Sequence, residues 1–158
     1  MRPLLLCLTL LPLLAATAHA QIAPRPGWTV IETQHGFAEL VERLKDAVAA
    51  EKMGLVTQAS ASDGAAMQGI TIPGNRVIGV YRNDFARRML KASIAAGIEA
   101  PIRFYVTETA EGTATLSWKE PSRVFAPYME EGGEDLAALA GELDVIFRTI
   151  GERAAAKE

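Results

Sequence analysis

Residues 28–54 read WTVIETQHGFAELVERLKDAVAAEKMG and predict one strand followed at once by one helix. The first part, Trp28–Thr33, is β-rich and partly alternating, which favours a strand. From residue 37 onward, apolar side chains recur at the i, i+3, i+4, i+7 and i+11 spacing of a single helix face, with charged residues between them. The apolar positions are Phe37, Leu40, Val41, Leu44 and Val48. We expect this helix to reach Met53 and to end at Gly54 in a left-handed turn.

Four more strands are predicted downstream, from their β-branched and aromatic content and the turn residues around them. They cover residues 55–59, 76–81, 102–107 and 113–118. The pair Glu111-Gly112 is typical of a two-residue hairpin loop joining the last two. The small polar segment after the second strand predicts a single helical turn capped by Ser62 or Asp63.

Two further helices complete the pattern. One is expected to be capped by Asn83 or Asp84 and to end near Gly97. The other begins after Gly132-Gly133 and carries a continuous apolar stripe, and its tail from Ala154 is expected to fray. The combination predicts an α+β fold: a curved antiparallel sheet of about five strands with two long helices packed on one face, in a single domain over residues 21–158.

The first twenty residues have the features of an export signal. Arg2 supplies a positive start, an apolar run from Leu4 to Leu14 follows, and Ala18-His19-Ala20 is an A-x-A cleavage site. The apolar run is too short to cross a bilayer, so we expect a product that does not span the membrane. Cleavage between Ala20 and Gln21 predicts a periplasmic or secreted protein.

Composition excludes several functional classes. The formal net charge of −3, which becomes −4 once Arg2 is removed, argues against a nucleic-acid partner. The only cysteine, Cys7, lies in the signal segment, so the mature chain has no thiol chemistry and no cysteine-based metal site. No phosphate-binding loop and no G-x-S-x-G motif is present, and no cofactor, metal site or catalytic set is predicted. An enzyme that uses Asp63 and His35 remains a third hypothesis, which requires these two side chains to approach within a few ångströms.

Several short motifs resemble the bacterial family described as domain of unknown function 302, over roughly Gly27 to Tyr128. They are the helix ending at Gly54, Asp63 in its polar loop, Tyr81-Arg82-Asn83, Gly97 to Ile102, Glu111-Gly112 and Trp118-x-x-Pro121. The chain departs from the pattern in having Asp63-Gly64 where relatives often have Asp-His, and Asn83-Asp84 where they often have Asn-Pro. The resemblance implies a fold of the TATA-binding-protein-like or helix-grip type, and it implies no activity.

In helix-grip folds the space between the long helix and the sheet can open into an apolar cavity. Our first hypothesis is therefore an exported, soluble, non-enzymatic module that binds a small apolar or anionic ligand between the sheet and the C-terminal helix. The candidate ligand-binding residues are Asp63, Arg82, Arg103, Tyr105 and Trp118, with Arg82 or Arg103 near the mouth, and with Tyr105, Trp118 and Phe147 as candidate walls. A simple turn or a helix cap also explains Asp63.

A second hypothesis rests on charge distribution. Between Arg76 and Arg103 six basic residues stand against two acidic ones, a local charge of +4. Such a segment is suited to a protein–protein or envelope-associated module that binds an acidic protein or an anionic surface. An ordinary solvated helix face explains the same residues. Self-association into a homodimer through an exposed sheet edge is left open by the sequence.

Overall fold

The computed structural model describes residues 22–157, so the predicted signal segment lies outside the described residues. These described residues form one five-stranded sheet in which every neighbouring pair is antiparallel, with the strand order β1-β5-β4-β3-β2. The strands are β1 Trp28–Gly36, β2 Gly54–Ala59, β3 Asn75–Tyr81, β4 Ile102–Glu108 and β5 Thr113–Lys119. All five predicted strands are confirmed, within a few residues at their ends.

Within residues 22–157 the sheet is accompanied by helices α1 Phe37–Ala50, α2 Ala61–Ala66, α3 Asn83–Ala92, α4 Pro121–Phe125 and α5 Met129–Ala155. Helix α5 is kinked at Gly133, where the backbone is not helical (φ 55°, ψ −150°). Short 3-10 turns cover Ala95–Glu99 and Ala126–Tyr128. The two long helices, α1 and α5, pack on each other and on the sheet, and α3 and α4 pack on α5. The predicted α+β architecture is therefore confirmed.

Strand alternation gives the sheet two different faces. The core face carries Ile78, Phe104 and Leu116, which are fully buried beneath the helices. We call the opposite face the open face; it carries the residues that alternate with the core-facing ones along each strand. Tyr105 stands at its centre, paired with Val77 on β3 and with Ser117 on β5.

The end of α1 differs from the expectation. The helix ends at Ala50, and the residue with a left-handed backbone is Lys52, at φ 58°. The amide of Lys52 donates to the carbonyl of Ala49 and that of Met53 donates to Val48, which is the paired hydrogen bonding of a Schellman turn. Gly54 instead opens β2 opposite Tyr81, where a Cβ would lie 3.2 Å from the Tyr81 carbonyl oxygen.

Replacing Lys52 by glycine is expected to raise the free energy of unfolding by about 0.5–1 kcal/mol. The gain arises because a side chain in the left-handed region costs about 1–2 kcal/mol, part of which is offset by the greater freedom of glycine in the unfolded chain. Urea denaturation of both proteins measures the difference. Lys52→Ala keeps the Cβ and serves as the control; equal stabilisation by alanine would contradict the backbone explanation.

Two other local expectations are corrected. The hairpin loop has three residues, Ala110 to Gly112, because Thr109 pairs with Thr113, and Gly112 takes the positive φ. Helix α2 is capped by Ser60, whose hydroxyl accepts from the amide of Asp63, rather than by Ser62 or Asp63 themselves.

Helix α3 also differs from its predicted ends. Its first helical residue is Asn83, the N-cap is Arg82, and no side chain caps it. It ends at Ala92 rather than near Gly97, because Ser93 is extended and its hydroxyl accepts from the amide of Ala96 to start the 3-10 turn.

The predicted fraying from Ala154 is wrong. Ala154 is fully buried, and its carbonyl accepts a hydrogen bond of 2.9 Å from Arg43 Nε. The carbonyl of Ala156 accepts from a second nitrogen of Arg43 at 2.6 Å and bonds with His35 Nε2 at 2.9 Å. Two carbonyls at the C-terminal end of α5, where carbonyls have no partner within the helix, are thus hydrogen-bonded by α1 and β1.

Candidate functional site

The space between the sheet and α5 is filled by aromatic side chains. Phe104 on β4 stacks on Phe147 of α5, with ring centroids 4.7 Å apart, and meets the edge of Trp118 at 5.3 Å. Beside them remains an apolar cavity of about 30 Å³, bordered by Arg82. This volume holds a water molecule or two. An organic ligand would fit there only by displacing core side chains.

A larger concavity lies on the open face, where β4 begins and β5 ends. It consists of two adjoining cavities of about 220 and 330 Å³. Five residues line both cavities: Trp28, Glu99, Arg103, Lys119 and Val124. The smaller cavity is completed by apolar and aromatic residues including Val77 and Tyr105, and the larger by Pro26, Arg123 and Pro127. We call the whole the open-face groove.

Three separate elements position the basic side chains of the groove. Arg103 follows buried Ile102 on β4, so alternation directs it to the open face. Lys119, the last residue of β5, pairs with Trp28 of β1. Arg123 belongs to α4 and its aliphatic part lies against Gly27, where any Cβ would come within 2.4 Å of Arg123 Cγ.

The electrostatics of the groove favour an anion. Arg103, Lys119 and Arg123 stand against one carboxylate, that of Glu99. Tyr128 donates its hydroxyl hydrogen to Glu99 at 2.9 Å, and this hydrogen bond raises the pKa of Tyr128 above its usual range. The Glu99 carboxylate therefore has a partner of its own.

Trp28 gives the groove an aromatic wall between cations. The Lys119 ammonium lies 5.7 Å from the ring centroid, and the Arg25 guanidinium lies 5.1 Å from it. Cation–π contacts of this kind hold long basic side chains over an aromatic face. A molecule that contacts Trp28 therefore meets positive charge as well as apolar surface.

Three of the five sequence-predicted site residues line this groove: Arg103, Tyr105 and Trp118. The ring of Trp118 is directed toward the core face, so it only borders the groove. Arg82 lies elsewhere, bound through two nitrogens to Asp84 at 2.8 and 3.2 Å, and these hydrogen bonds lower the pKa of Asp84.

Asp63 is also away from the groove, on α2, where it forms an ion pair with Arg76. Arg76 lies on β3, whereas His35 lies on β1 and bonds to Glu39 at 2.6 Å. Strands β5 and β4 lie between β1 and β3, so three inter-strand spacings separate β1 from β3. At the usual spacing these two strands are about 14 Å apart. The strand order therefore does not support the close approach of Asp63 and His35 that the enzyme hypothesis requires.

Three of the six basic residues in segment 76–103 form ion pairs. Besides Arg76 and Arg82, Arg88 forms a bidentate pair with Glu142 of α5 at 2.6 and 2.7 Å. Hydrogen bonding to Arg88 lowers the pKa of Glu142. Arg103 belongs to the groove, so a basic surface on α3 would rest on Arg87 and Lys91.

Among the charged and aromatic residues of the groove, sequence reasoning missed four, namely Trp28, Glu99, Lys119 and Arg123. The signal that would have found Trp28 and Lys119 is the β1–β5 register, which sets these two opposite each other although they are far apart in sequence. Among residues 22–157 there is no group of three or more His, Cys, Asp or Glu side chains suited to a metal ion. Within the same residues, no helix is long and apolar enough to cross a membrane.

These features define a class: an α+β domain with one sheet face under helices and a ligand-sized groove on the other. The family model for "Domain of unknown function DUF302" matches residues 29–150, and the chain belongs to that family. A crystal structure of an uncharacterized conserved DUF302 protein from Bacillus stearothermophilus is similar, with a TM-score of 0.72 and 18% identity, covering 82% of this chain and 99% of the other. No curated protein matches the sequence.

Proposed function

We propose that the chain is an exported, periplasmic or secreted module that binds a small organic anion in the open-face groove without transforming it. The observation that carries the proposal is the convergence of Arg103, Lys119 and Arg123 around an aromatic wall in a cavity of small-molecule size. Ligand sites typically combine apolar lining with a few placed polar groups, which is the composition found here.

The proposed site differs from the position expected from the sequence, which was the space between the sheet and the C-terminal helix. The interface between sheet and α5 retains about 30 Å³, whereas the groove cavities measure about 220 and 330 Å³. The groove also restricts the expected ligand to a molecule that has both an apolar part and an anionic group. An apolar body would lie on Trp28 and Tyr105, and an anionic group would meet the basic side chains.

Two measurements test the proposal. Native mass spectrometry of the exported chain, purified without denaturation, is expected to show excess mass that is lost on denaturation. In parallel, 8-anilinonaphthalene-1-sulfonate, an aromatic sulfonate, serves as a defined probe whose affinity is followed by fluorescence titration.

Arg103→Ala and Lys119→Ala are each expected to lower the affinity for the probe by about tenfold or more, because a hydrogen bond to a charged group contributes about 1.5–3 kcal/mol. Glu99→Gln is expected to raise the affinity for the anionic probe, since it removes the negative charge of the groove. Arg87→Ala and Lys91→Ala are matched controls, because they remove exposed basic residues of α3 that lie outside both groove cavities. Equal losses in groove and control variants would contradict a site in the groove.

A further inference from the structure

Glu99 is a residue of the open-face groove that a purely anionic ligand does not explain. It lines both groove cavities together with Arg103 and Lys119, so its carboxylate borders the same space as the basic side chains. A negative charge at this position repels the acid group of a ligand and lowers the affinity for it. A groove that bound acid groups alone would be better without Glu99.

The charged residues of the groove do not neutralise one another. Besides Glu99, the groove has three basic side chains, those of Arg103, Lys119 and Arg123. Among residues 22–157, none of these four side chains forms an ion pair with another residue. Charges of both signs therefore border the groove without a protein partner of opposite charge, and a ligand is able to pair with them.

The Glu99 carboxylate is held in place while most of its acceptor capacity stays open. Tyr128 donates its hydroxyl hydrogen to Oε1 at 2.9 Å, and within the described residues it is the donor that Glu99 has. An ionised carboxylate offers about four acceptor positions on its two oxygens, so Oε2 keeps its full capacity. Glu99 is half-buried at the end of the 3-10 turn that precedes β4. An acceptor held in this way loses little conformational entropy when a donor binds.

The charge of Glu99 favours a cationic donor over a neutral one. A hydroxyl group already bonds to Oε1, and it leaves the negative charge of the carboxylate in place. An ammonium group donates a hydrogen bond and also compensates that charge, and such charge-assisted bonds are roughly twice as strong as bonds between neutral groups. The group of the ligand that meets Glu99 is therefore expected to be an ammonium.

The apolar lining of the groove accounts for the rest of the ligand. Trp28 and Tyr105 supply aromatic surface, and Val77 and Val124 supply aliphatic surface. The groove thus offers a carboxylate, a set of cations and an apolar wall. These three features are complementary to the ammonium, the carboxylate and the side chain of an apolar amino acid.

We propose that the open-face groove binds an amino acid with an aromatic or large aliphatic side chain. The inference rests on the proposed function, because the carboxylate of the amino acid is the anionic group that Arg103, Lys119 and Arg123 bind. The ammonium group donates to Glu99, and the side chain lies on Trp28.

Isothermal titration calorimetry of the exported, natively purified chain compares three molecules that share one skeleton. L-phenylalanine, L-phenyllactate and 3-phenylpropionate carry an ammonium, a hydroxyl and a hydrogen atom, respectively, at the same carbon. L-phenylalanine is expected to bind about tenfold or more tightly than either of the others, because it alone makes a charge-assisted hydrogen bond to Glu99.

Two groove variants separate the roles of the charges. Glu99→Gln is expected to lower the affinity for L-phenylalanine about tenfold and to raise the affinity for 3-phenylpropionate. Arg103→Ala is expected to lower the affinity for both molecules, because both carry the carboxylate. Glu111→Gln, in the exposed hairpin loop outside both groove cavities, is the matched control and should change neither affinity. Circular dichroism checks that each variant is folded.

The outcomes distinguish this inference from the proposed function. If L-phenylalanine binds no more tightly than 3-phenylpropionate while 8-anilinonaphthalene-1-sulfonate still binds, the amino acid is overturned and the anion site stands. Equal affinity for L-phenyllactate and L-phenylalanine would overturn it too, because a neutral donor would then suffice. Equal losses for both acids in Glu99→Gln would also overturn it, since the carboxylate would then act only by holding Tyr128. If neither the three acids nor the sulfonate binds, the proposed function itself fails.

Discussion

Replacing Phe147 by alanine is expected to lower the free energy of unfolding by about 3–5 kcal/mol. Phe147 is fully buried on α5 and stacks on Phe104 at an interplanar angle of 12°. Removing its ring discards apolar contact area and also leaves a void, because the flanking elements cannot collapse fully. Urea denaturation monitored by circular dichroism gives the difference, and an unchanged m value indicates that the same surface is exposed on unfolding.

The control is Val145→Ala, two residues earlier on the same helix. Val145 is 65% exposed, so its truncation should change stability by no more than about 0.5 kcal/mol. A loss below about 1.5 kcal/mol for Phe147→Ala would contradict a close-packed interface between sheet and helix.

The same variant tests where a ligand is able to bind. Phe147→Ala enlarges the 30 Å³ cavity to a volume on the order of 100 Å³, which is apolar and large enough for benzene. Saturating benzene is therefore expected to raise the Tm of the variant and to leave that of the wild type unchanged. Stabilisation of the wild type by benzene would show that the core accepts a ligand as it stands, and would return the binding site to the position expected from the sequence.

The strands and the long helices were predictable because their signals are local. The apolar spacing from Phe37 to Val48 and the alternation around Phe104 depend only on neighbouring residues, and both survive unchanged in the structure. The end of α1 was harder to predict from the sequence. Gly54 has the residue type of a helix terminator, yet it lies in the sheet, where a Cβ would come into tight contact with Tyr81 O at 3.2 Å.

The sequence could not show which residues line the groove together. That depends on the order of the strands in the sheet and on the face of the sheet toward which each side chain points. Arg82 and Arg103 are both basic and flank the same segment, but Arg82 leads into α3 whereas Arg103 points from β4 to the open face. The basic count of residues 76–103 does not reveal which of its charges are paired. Three of the six basic residues form ion pairs, and one of these pairs joins Arg88 to Glu142, 54 residues further along the chain.

Replacing Gly151 by alanine is expected to destabilise the protein by about 2 kcal/mol, against the trend for this substitution. In a helix interior alanine is favoured over glycine by about 1 kcal/mol. At Gly151, however, a Cβ would lie 2.4 Å from Trp118 Cη2 and 2.5 Å from Cζ3. The indole is buried and held at its edge by Phe104, so the added methyl group overpacks the core, at a cost of about 1–3 kcal/mol.

Gly141→Ala is the matched control for this change. It lies on the same helix, with nothing within 4 Å of the added Cβ, and is expected to stabilise the protein by about 1 kcal/mol. Trp118→Phe shortens the opposing ring, so Gly151→Ala made in that background should lose its penalty and stabilise as Gly141→Ala does. Stabilisation by Gly151→Ala in the wild-type background would show that the indole does not rest on α5, because only that contact reverses the sign of the helix preference.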